Sequence, residues 1–320
     1  MPIVYLPATP PPPPPNVIVA GEDIGGPPRV TWTPAAGGQP VPLSDIGQGY
    51  AVLEGVRGLA MPTYQLYQSD SLLDGTVIRG TRTEAREIFL PIYLEAPTRA
   101  AVLAKRRALA AAFSPTEADG GGDGVLELAE DTGQRRRIRA RYVSGMDGPE
   151  GGGDTGMDWA TYGLTLVAAQ PYWERDPITY RWALDPPDGG TWLPILPLRV
   201  RDSDVVGEGM TIRNPGTVRS WPVWTITGPL SGTATMRNRT TGQQLEFSSA
   251  LDGGEQIVID TRPRRKTVRD GLGVNRFADL ALGSVLWPLA PGENTVDIML
   301  TGLGPGSRLE LELTPWELTA

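Results

Sequence analysis

Arginine occupies every second position along one segment near the middle of the chain. In a β-strand successive side chains point to opposite faces, so this alternation predicts a strand with like charges gathered on one face. The charged positions are Arg135, Arg137, Arg139 and Arg141. A guanidinium group forms strong hydrogen bonds with carboxylates and phosphates. The row therefore needs either an acidic partner or open solvent, and the sequence leaves both alternatives open.

Histidine and cysteine are both absent from the 320 residues. Their absence excludes Ser-His-Asp and Cys-His nucleophilic mechanisms, zinc sites with histidine or thiolate ligands, and disulfide bonds. Paired carboxylates remain available among the 37 acidic residues, but the surrounding sequence marks no pair as a glycosidase site. We therefore expect a protein that is not an enzyme and that uses no cofactor.

One acidic segment begins like a calcium-binding loop at Asp202 and Asp204. Val206, however, occupies a ligand position, and Arg213 stands where such a loop requires a bidentate carboxylate. The sequence therefore predicts no metal site there.

Tryptophan offers a different chemistry, because the face of an aromatic ring can stack on a sugar. The second half of the chain contains several such rings: Trp192, Trp221, Trp224, Trp287 and Trp316. Core packing is expected to account for most of them. Trp192 and Trp287 are the candidates for glycan stacking.

The formal net charge of the chain is -8. A negatively charged protein has no general attraction to nucleic acid or to an anionic membrane, so any contact with DNA must be local. The N-terminus lacks a basic region followed by an apolar stretch, and no window approaches eighteen uninterrupted apolar residues. We expect neither secretion nor a membrane span.

Two elements of the first half can be predicted from periodicity. Residues 86–95 carry apolar side chains on both faces, which predicts a buried strand, and Pro91 inside it requires an edge or a bulge. Residues 98–113 have an apolar stripe at helical spacing, with Thr98 as the N-cap and a stop at Ser114.

Two hairpins are predicted in the same half. Asp74-Gly75 is a signal for a two-residue hairpin turn. A second hairpin joins strands 125–130 and 135–143, and its second strand carries the arginine row. The 40 glycines and 32 prolines favour many turns and short strands.

The second half of the chain has no helical periodicity. It contains short apolar segments separated by turn residues, which is typical of a β-sandwich. The last segment alternates leucine with charged residues and therefore predicts one buried and one wet face. The candidate strands are 210–213, 221–227, 234–238, 243–247, 256–260, 295–300 and 308–313.

The fold class expected from these patterns is mainly β, in two domains. A Pro-rich arm covers residues 1–29, a first domain covers residues 30–175, and a linker with a second domain covers residues 176–320. The boundary is placed near residue 175 because the segment that follows is polar and contains paired prolines.

The order of these features resembles the siphovirus-type phage distal tail protein, a phage tail component family. The resemblance covers residues 30–175, and in the second half it is confined to residues 287–294 and the strand after them. Its features are Gly55 and Gly58, Asp74-Gly75, the strand opened by Arg86, one helix, the RRRIRARY segment and Pro171-Tyr172-Trp173.

This resemblance implies a fold for each domain. The N-terminal domain is expected to be a tail-tube-like β-barrel or sandwich with one flanking helix. The C-terminal domain is expected to be a galectin-like, jelly-roll β-sandwich.

The resemblance also implies a function in assembly. The chain would be a structural protein of the virion tail tip, made in the cytoplasm of the bacterial host. Six copies would form a ring that joins the tail tube to the baseplate or tip hub and continues the DNA channel. The implied partners are other copies of the chain, the tail tube protein, the tape-measure protein and the hub protein, with transient passage of DNA and no membrane contact.

Within such a ring, Arg135, Arg137, Arg139 and Arg141 would face a neighbouring subunit or the channel. The alternative function is that of a host-glycan-binding minor tail protein, which would use the C-terminal β-sandwich with Trp192 and Trp287.

Overall fold

A computed structural model describes residues 28–35, 37–70, 74–114, 122–147, 156–183, 198–201 and 204–320. Half of the described residues lie in strands (50%) and few lie in helices (8%). The expected mainly β fold class is therefore confirmed. Among the described residues, no helix is both long enough and apolar enough to cross a membrane.

The described residues of the first half form ten strands, one α-helix and a 3-10 turn at Ile46–Gln48. The helix is α1 (Arg99–Phe113). The strands are β1 (Arg29–Thr33), β2 (Val41–Pro42), β3 (Tyr50–Val52), β4 (Tyr64–Asp70), β5 (Thr76–Thr83), β6 (Arg86–Glu95), β7 (Gly124–Ala129), β8 (Arg135–Ser144), β9 (Trp159–Ala168) and β10 (Trp173–Glu174).

One sheet organises this half, in the order β2-β1-β7-β8-β9-β6-β3, and β10 also pairs with β8. One face of β6 is buried as the sequence predicts, with Ile88, Leu90, Ile92 and Leu94 essentially inaccessible to solvent. The other face, with Phe89 and Tyr93, is only half-buried. β4 and β5 form a separate two-stranded sheet, which confirms a hairpin at Asp74-Gly75. The predicted two-residue turn is wrong, because the strand pairing ends at Asp70 and Thr76 and five residues separate them.

Pro91 lies in the middle of β6, where it cannot donate a backbone hydrogen bond. On one side, β9 pairs with the whole of β6. On the other side, β3 ends at Val52, and the next bridge to β6 is at Arg57, which exchanges backbone hydrogen bonds with Phe89. Pro91 lies beside this gap and accepts from the N–H of Leu53 at 2.9 Å. The predicted interruption near Pro91 is therefore confirmed.

The helix predicted over residues 98–113 is confirmed. Thr98 is its N-cap, because the side-chain oxygen accepts from the N–H of Ala101 at 3.2 Å. The helix packs on the sheet through Phe113, whose ring stacks on Trp32 with centroids 4.5 Å apart. The other buried side chains of the helix are Val102 and Leu109.

The second half contains eleven strands and a 3-10 turn at Phe277–Asp279 within the described residues. The strands are β11 (Ile178–Ala183), β12 (Leu198–Arg201), β13 (Asp204–Asn214), β14 (Val223–Thr227), β15 (Ala234–Asn238), β16 (Gln244–Phe247), β17 (Gln256–Asp260), β18 (Thr267–Asp270), β19 (Gly292–Leu300), β20 (Arg308–Leu313) and β21 (Trp316–Glu317).

Two five-stranded sheets share the second hydrophobic core, in the orders β11-β20-β14-β17-β18 and β12-β13-β19-β15-β16. This arrangement is the predicted β-sandwich. Leu309, Leu311 and Leu313 of β20 are fully buried, and the charged residues between them point away from the core, as expected.

Apart from the two-residue β21, three strands of this half were not predicted: β11, β12 and β18. All three lie at the edge of a sheet. β11 falls in the segment expected to be a polar linker, and only Trp182 of its side chains is fully buried. An edge strand packs few residues against the core, so its apolar alternation is weak.

The two hydrophobic cores draw on separate parts of the chain, from Val30 to Trp173 and from Trp182 to Leu313. The chain passes from one to the other between β10 and β11. The three-part division of the chain stays a prediction, and residues 1–27 of the expected arm lie outside the described residues. One contact was not expected: β21, near the C-terminus, pairs with β10 in the first sheet.

Candidate functional site

The predicted row of arginines lies on β8, and Arg137 is its most engaged member. Strand pairing places Arg137 opposite Glu127 on β7, and its Nε donates to Glu127 Oε2 at 2.7 Å. Its Nη1 donates to Asp176 Oδ1 at 2.8 Å. The hydrogen bond to Glu127 outweighs desolvation and raises the pKa of Arg137 above its ordinary value. Arg137 is thus a fixed cation paired within its own chain.

The other three arginines of the row are more exposed. Arg141 Nε donates to Asp123 Oδ1 at 2.5 Å, and Arg135 lies 3.8 Å from Glu127. Arg139 is exposed, and no carboxylate in the described part of the chain forms an ion pair with it. Exposed pairs of this kind contribute little to stability and exchange easily. Contact of the row with a neighbouring subunit or with a DNA channel stays a prediction.

Arg136 points to the opposite face of β8 and was not selected from the sequence. Its Nε is hydrogen bonded to Glu317 Oε2 on β21. The other oxygen of Glu317 accepts from Arg175 Nη1 at 3.2 Å. The Glu317 side chain is only 10% exposed, so one nearly buried carboxylate joins two arginines. No local pattern could reveal this cluster, because 181 residues separate Arg136 from Glu317.

Arg86 is the most deeply buried charged residue of the first half, with 2% of its surface exposed. Its guanidinium donates to backbone oxygens rather than to a carboxylate, and burial lowers its pKa from the ordinary value. The four acceptors, at 2.5 to 2.7 Å, are the carbonyls of Gly58, Ala60, Pro171 and Leu318.

Gly58 brings one of these carbonyls into place. Its φ of +84° is in the region that favours glycine, and an added Cβ would lie 2.0 Å from the carbonyl oxygen of Glu87. Only glycine fits there. Gly55, by contrast, has open space around the corresponding position, so the two glycines of this segment have different physical roles.

Residues 316–320, called here the C-terminal segment, contact both halves of the molecule. On the first half, Trp316 stacks on Tyr172 with centroids 5.8 Å apart, and Ala320 N donates to Leu59 O at 2.9 Å. On the second half, Trp316 N donates to Ser220 Oγ at 2.9 Å, and Leu318 N donates to Thr217 Oγ1 at 2.9 Å. The C-terminal segment therefore joins the two halves of the molecule.

The glycan-stacking prediction is wrong for Trp287. Its ring is 1% exposed and packs edge-on against Trp224 with centroids 5.6 Å apart, so neither face is available to a sugar. Trp192 lies outside the described residues. Trp221 is half-buried, and the ammonium group of Lys266 lies 5.4 Å from its ring centroid. Core packing also accounts for Trp224 and Trp316, as expected.

The β4–β5 hairpin, called here the ribbon, exposes apolar residues that no other described segment of the chain covers. A two-stranded hairpin is marginally stable by itself in water, and clustered exposed apolar side chains mark interaction surfaces. The exposed fractions lie between 41% and 60% for Tyr64, Leu66, Tyr67, Val77 and Ile78.

No group of three or more His, Cys, Asp or Glu residues in the described ranges could hold a metal ion. Asp202, at the start of the segment that looks like a calcium loop, lies outside those ranges.

The comparisons with known proteins concern both the fold and the family. Residues 215–304 match the family model of the siphovirus-type tail component, C-terminal domain. No curated protein sequence matches the chain.

Solved structures share the fold over almost the whole chain. The crystal structure of the SPP1 Dit (gp 19.1) protein, named as a paradigm of the hub adsorption apparatus in phages that infect Gram-positive bacteria, has a TM-score of 0.60 and 13% identity, with 90% of this chain and 98% of that chain covered. Two phage P2 baseplate structures in the activated conformation are also similar. The structure with Ca has a TM-score of 0.50 and 10% identity, with 89% of this chain and 97% of that chain covered. The structure with Sr has a TM-score of 0.51 and 9% identity, with 90% of this chain and 98% of that chain covered.

At these identities the structural likeness shows the fold alone. The resemblance stated from the sequence is confirmed, because residues 215–304 match the siphovirus-type tail component, C-terminal domain, and the fold is that of the SPP1 Dit protein.

Proposed function

We propose that this protein is a distal tail protein, a structural component of the phage tail tip with no enzymatic activity. Copies of the chain form a hexameric ring that joins the tail tube to the baseplate or tip hub and continues the DNA channel. The family match over residues 215–304 and the fold shared with the SPP1 Dit protein and the phage P2 baseplate support this proposal.

The exposed apolar surface of the ribbon is the main observation in support of a ring. Its exposed apolar side chains need a surface to cover them, and an identical copy in a closed ring can offer the same surface at every interface. The first sheet ends in the short edge strands β2 and β3, and edge strands are places where a neighbouring chain can pair. In the proposed ring, each ribbon packs on the next copy.

The remaining parts of the chain have distinct places in this proposal. Residues 30–175 form the ring, residues 176–320 lie outside it, and residues 1–29 are an arm. The partners are the tail tube protein, the tape-measure protein and the hub protein, in the virion tail tip after synthesis in the host cytoplasm. The arginine row of β8, which is Arg135, Arg137, Arg139 and Arg141, faces either the next copy or the channel.

Oligomeric state tests the proposal. Native mass spectrometry and negative-stain microscopy of the purified chain should show six-membered rings. Replacing Leu66 and Ile78 together with serine should release monomers, because each loss removes about 2 kcal/mol of apolar burial per interface. Leu272→Ser, at another exposed leucine, is the control and should leave the ring intact. A chain that stays monomeric at high concentration, or rings that survive both ribbon substitutions, would contradict the proposal.

A further inference from the structure

An edge hairpin of the C-terminal sandwich gathers polar side chains on one face. β18 continues into a turn and a returning segment, held by hydrogen bonds from Asp270 N to Val274 O at 3.1 Å and from Arg276 N to Val268 O at 2.8 Å. Residues directly opposite each other in such a pair share a face. Val268 is fully buried, so the neighbouring positions of β18 point outward.

The outward face of this hairpin surrounds a cavity. Arg269 lies opposite Asn275, and the same register places Thr267 opposite Phe277. With Lys266 and Gly273, these residues line a space of about 240 Å³. Pockets for drug-sized ligands measure roughly 300–1,000 Å³, so this cavity suits one small chemical unit of a longer ligand.

The cations of the cavity have no counter-charge within the described chain. Lys266 and Arg269 are exposed, and neither forms an ion pair with any described carboxylate. The two nearby acids are already engaged: Asp270 Oδ1 accepts from two N–H groups of the turn, and Asp279 pairs with Arg276 at 2.5 Å. The chain has a net charge of -8, but these cations make the surface at the cavity locally positive.

We propose that this cavity binds one anionic sugar unit, a uronate, of a larger glycan. Arg269 and Lys266 bind the carboxylate, since a guanidinium matches its geometry. Phe277, whose side chain is 48% exposed, offers its ring to the apolar face of the pyranose. Asn275 Oδ1 accepts from Phe277 N at 3.0 Å, which orients its amide nitrogen to donate to a sugar hydroxyl.

The combination of groups favours a saccharide over an acidic peptide. A glutamate side chain supplies the negative charge, but it lacks the ring of hydroxyls and the apolar face that Thr267, Asn275 and Phe277 complement. The stacking ring of this site is Phe277, whereas the sequence predicted Trp192 and Trp287 for that role. The site also lies in a single chain and does not depend on the proposed ring.

Calorimetric titration of the purified full chain tests the site with three matched probes: a mannuronate trimer, the neutral mannotriose and a triglutamate peptide. We expect the mannuronate trimer to bind at least about tenfold more tightly than either of the others. Arg269→Gln should weaken mannuronate binding about tenfold, and Phe277→Ala about fivefold. Both residues are exposed, so thermal unfolding should not change.

Arg308→Gln is the charge-matched control, since Arg308 is an exposed arginine on β20. It should leave binding unchanged. Absence of mannuronate binding, equal binding of mannotriose or of triglutamate, or full binding by the Phe277→Ala variant would overturn the proposal. Any of these results leaves the ring proposal untouched, because ring assembly is measured without glycan.

Discussion

Single residues matter most here where a buried charge depends on distant backbone groups, and Arg86 is the clearest example. We predict that Arg86→Met lowers the free energy of unfolding by at least about 3 kcal/mol, because four backbone carbonyls, one buried and three at partly buried positions, lose their donor. Urea unfolding followed by tryptophan fluorescence measures the loss. Arg86→Lys should recover only part of it, since an ammonium group cannot reach all four carbonyls.

Arg57→Met is the matched control for this prediction. Arg57 is an exposed arginine on the same part of the first sheet, and its backbone alone pairs with Phe89. Its substitution should change stability by less than about 0.5 kcal/mol. Equal effects of the two substitutions would show that Arg86 does not organise its surroundings.

At the scale of elements, β13 contains a bulge that a neighbouring strand stabilises. The strand register shifts between Gly207 and Met210, and Gly209 donates from its backbone N–H to Asp297 Oδ1 at 2.8 Å. Arg239 Nε donates to the other oxygen of Asp297 at 2.6 Å. Partial burial alone would raise the pKa of Asp297, but these hydrogen bonds hold it below the ordinary value.

The lowered pKa predicts how stability depends on pH. Because the folded state prefers the ionised carboxylate, Asp297 stabilises the fold above its unfolded pKa of about 3.9 and loses that effect as the pH falls through the folded value. Asp297→Asn should therefore lower Tm at pH 7, and the difference from the parent should shrink as the pH falls below about 4. Asp252→Asn, at an exposed acid, should show no such trend. A difference in Tm that is constant with pH would refute the role of the ionised carboxylate.

Elements with strong local patterns could be predicted from the sequence. Helix α1 has its own cap and apolar stripe, and β20 alternates leucine with charge, so neither needs tertiary information. β11 was missed because an edge strand buries little. Burial of Trp287 also could not be predicted, since the residue type is the same whether a tryptophan ring packs in a core or stacks on a sugar. The cluster of Glu317 depends entirely on tertiary contact.

For the whole molecule, the important contact is the C-terminal segment, which links the two sheets through Glu317 and its two arginines. We predict that Glu317→Ala uncouples the two halves, because removing the carboxylate leaves Arg136 and Arg175 without their partner at a cost on the order of 3 kcal/mol. Differential scanning calorimetry should show one transition for the parent chain and two for the variant.

Glu293→Ala, at an exposed acid on β19, is the control and should keep a single transition. If Glu317→Ala also unfolds in a single transition at an unchanged temperature, the two halves are not coupled through this carboxylate.

The contact between Arg86 and Leu318 also sets an order of events during synthesis. These residues are 232 positions apart, and the ribosome adds only about 5–20 residues per second. The first half of a nascent chain must therefore wait for at least about ten seconds with Arg86 lacking one of its acceptors. Completion of the N-terminal sheet, and with it any ring built from that sheet, is consequently delayed until the C-terminal segment has left the ribosome.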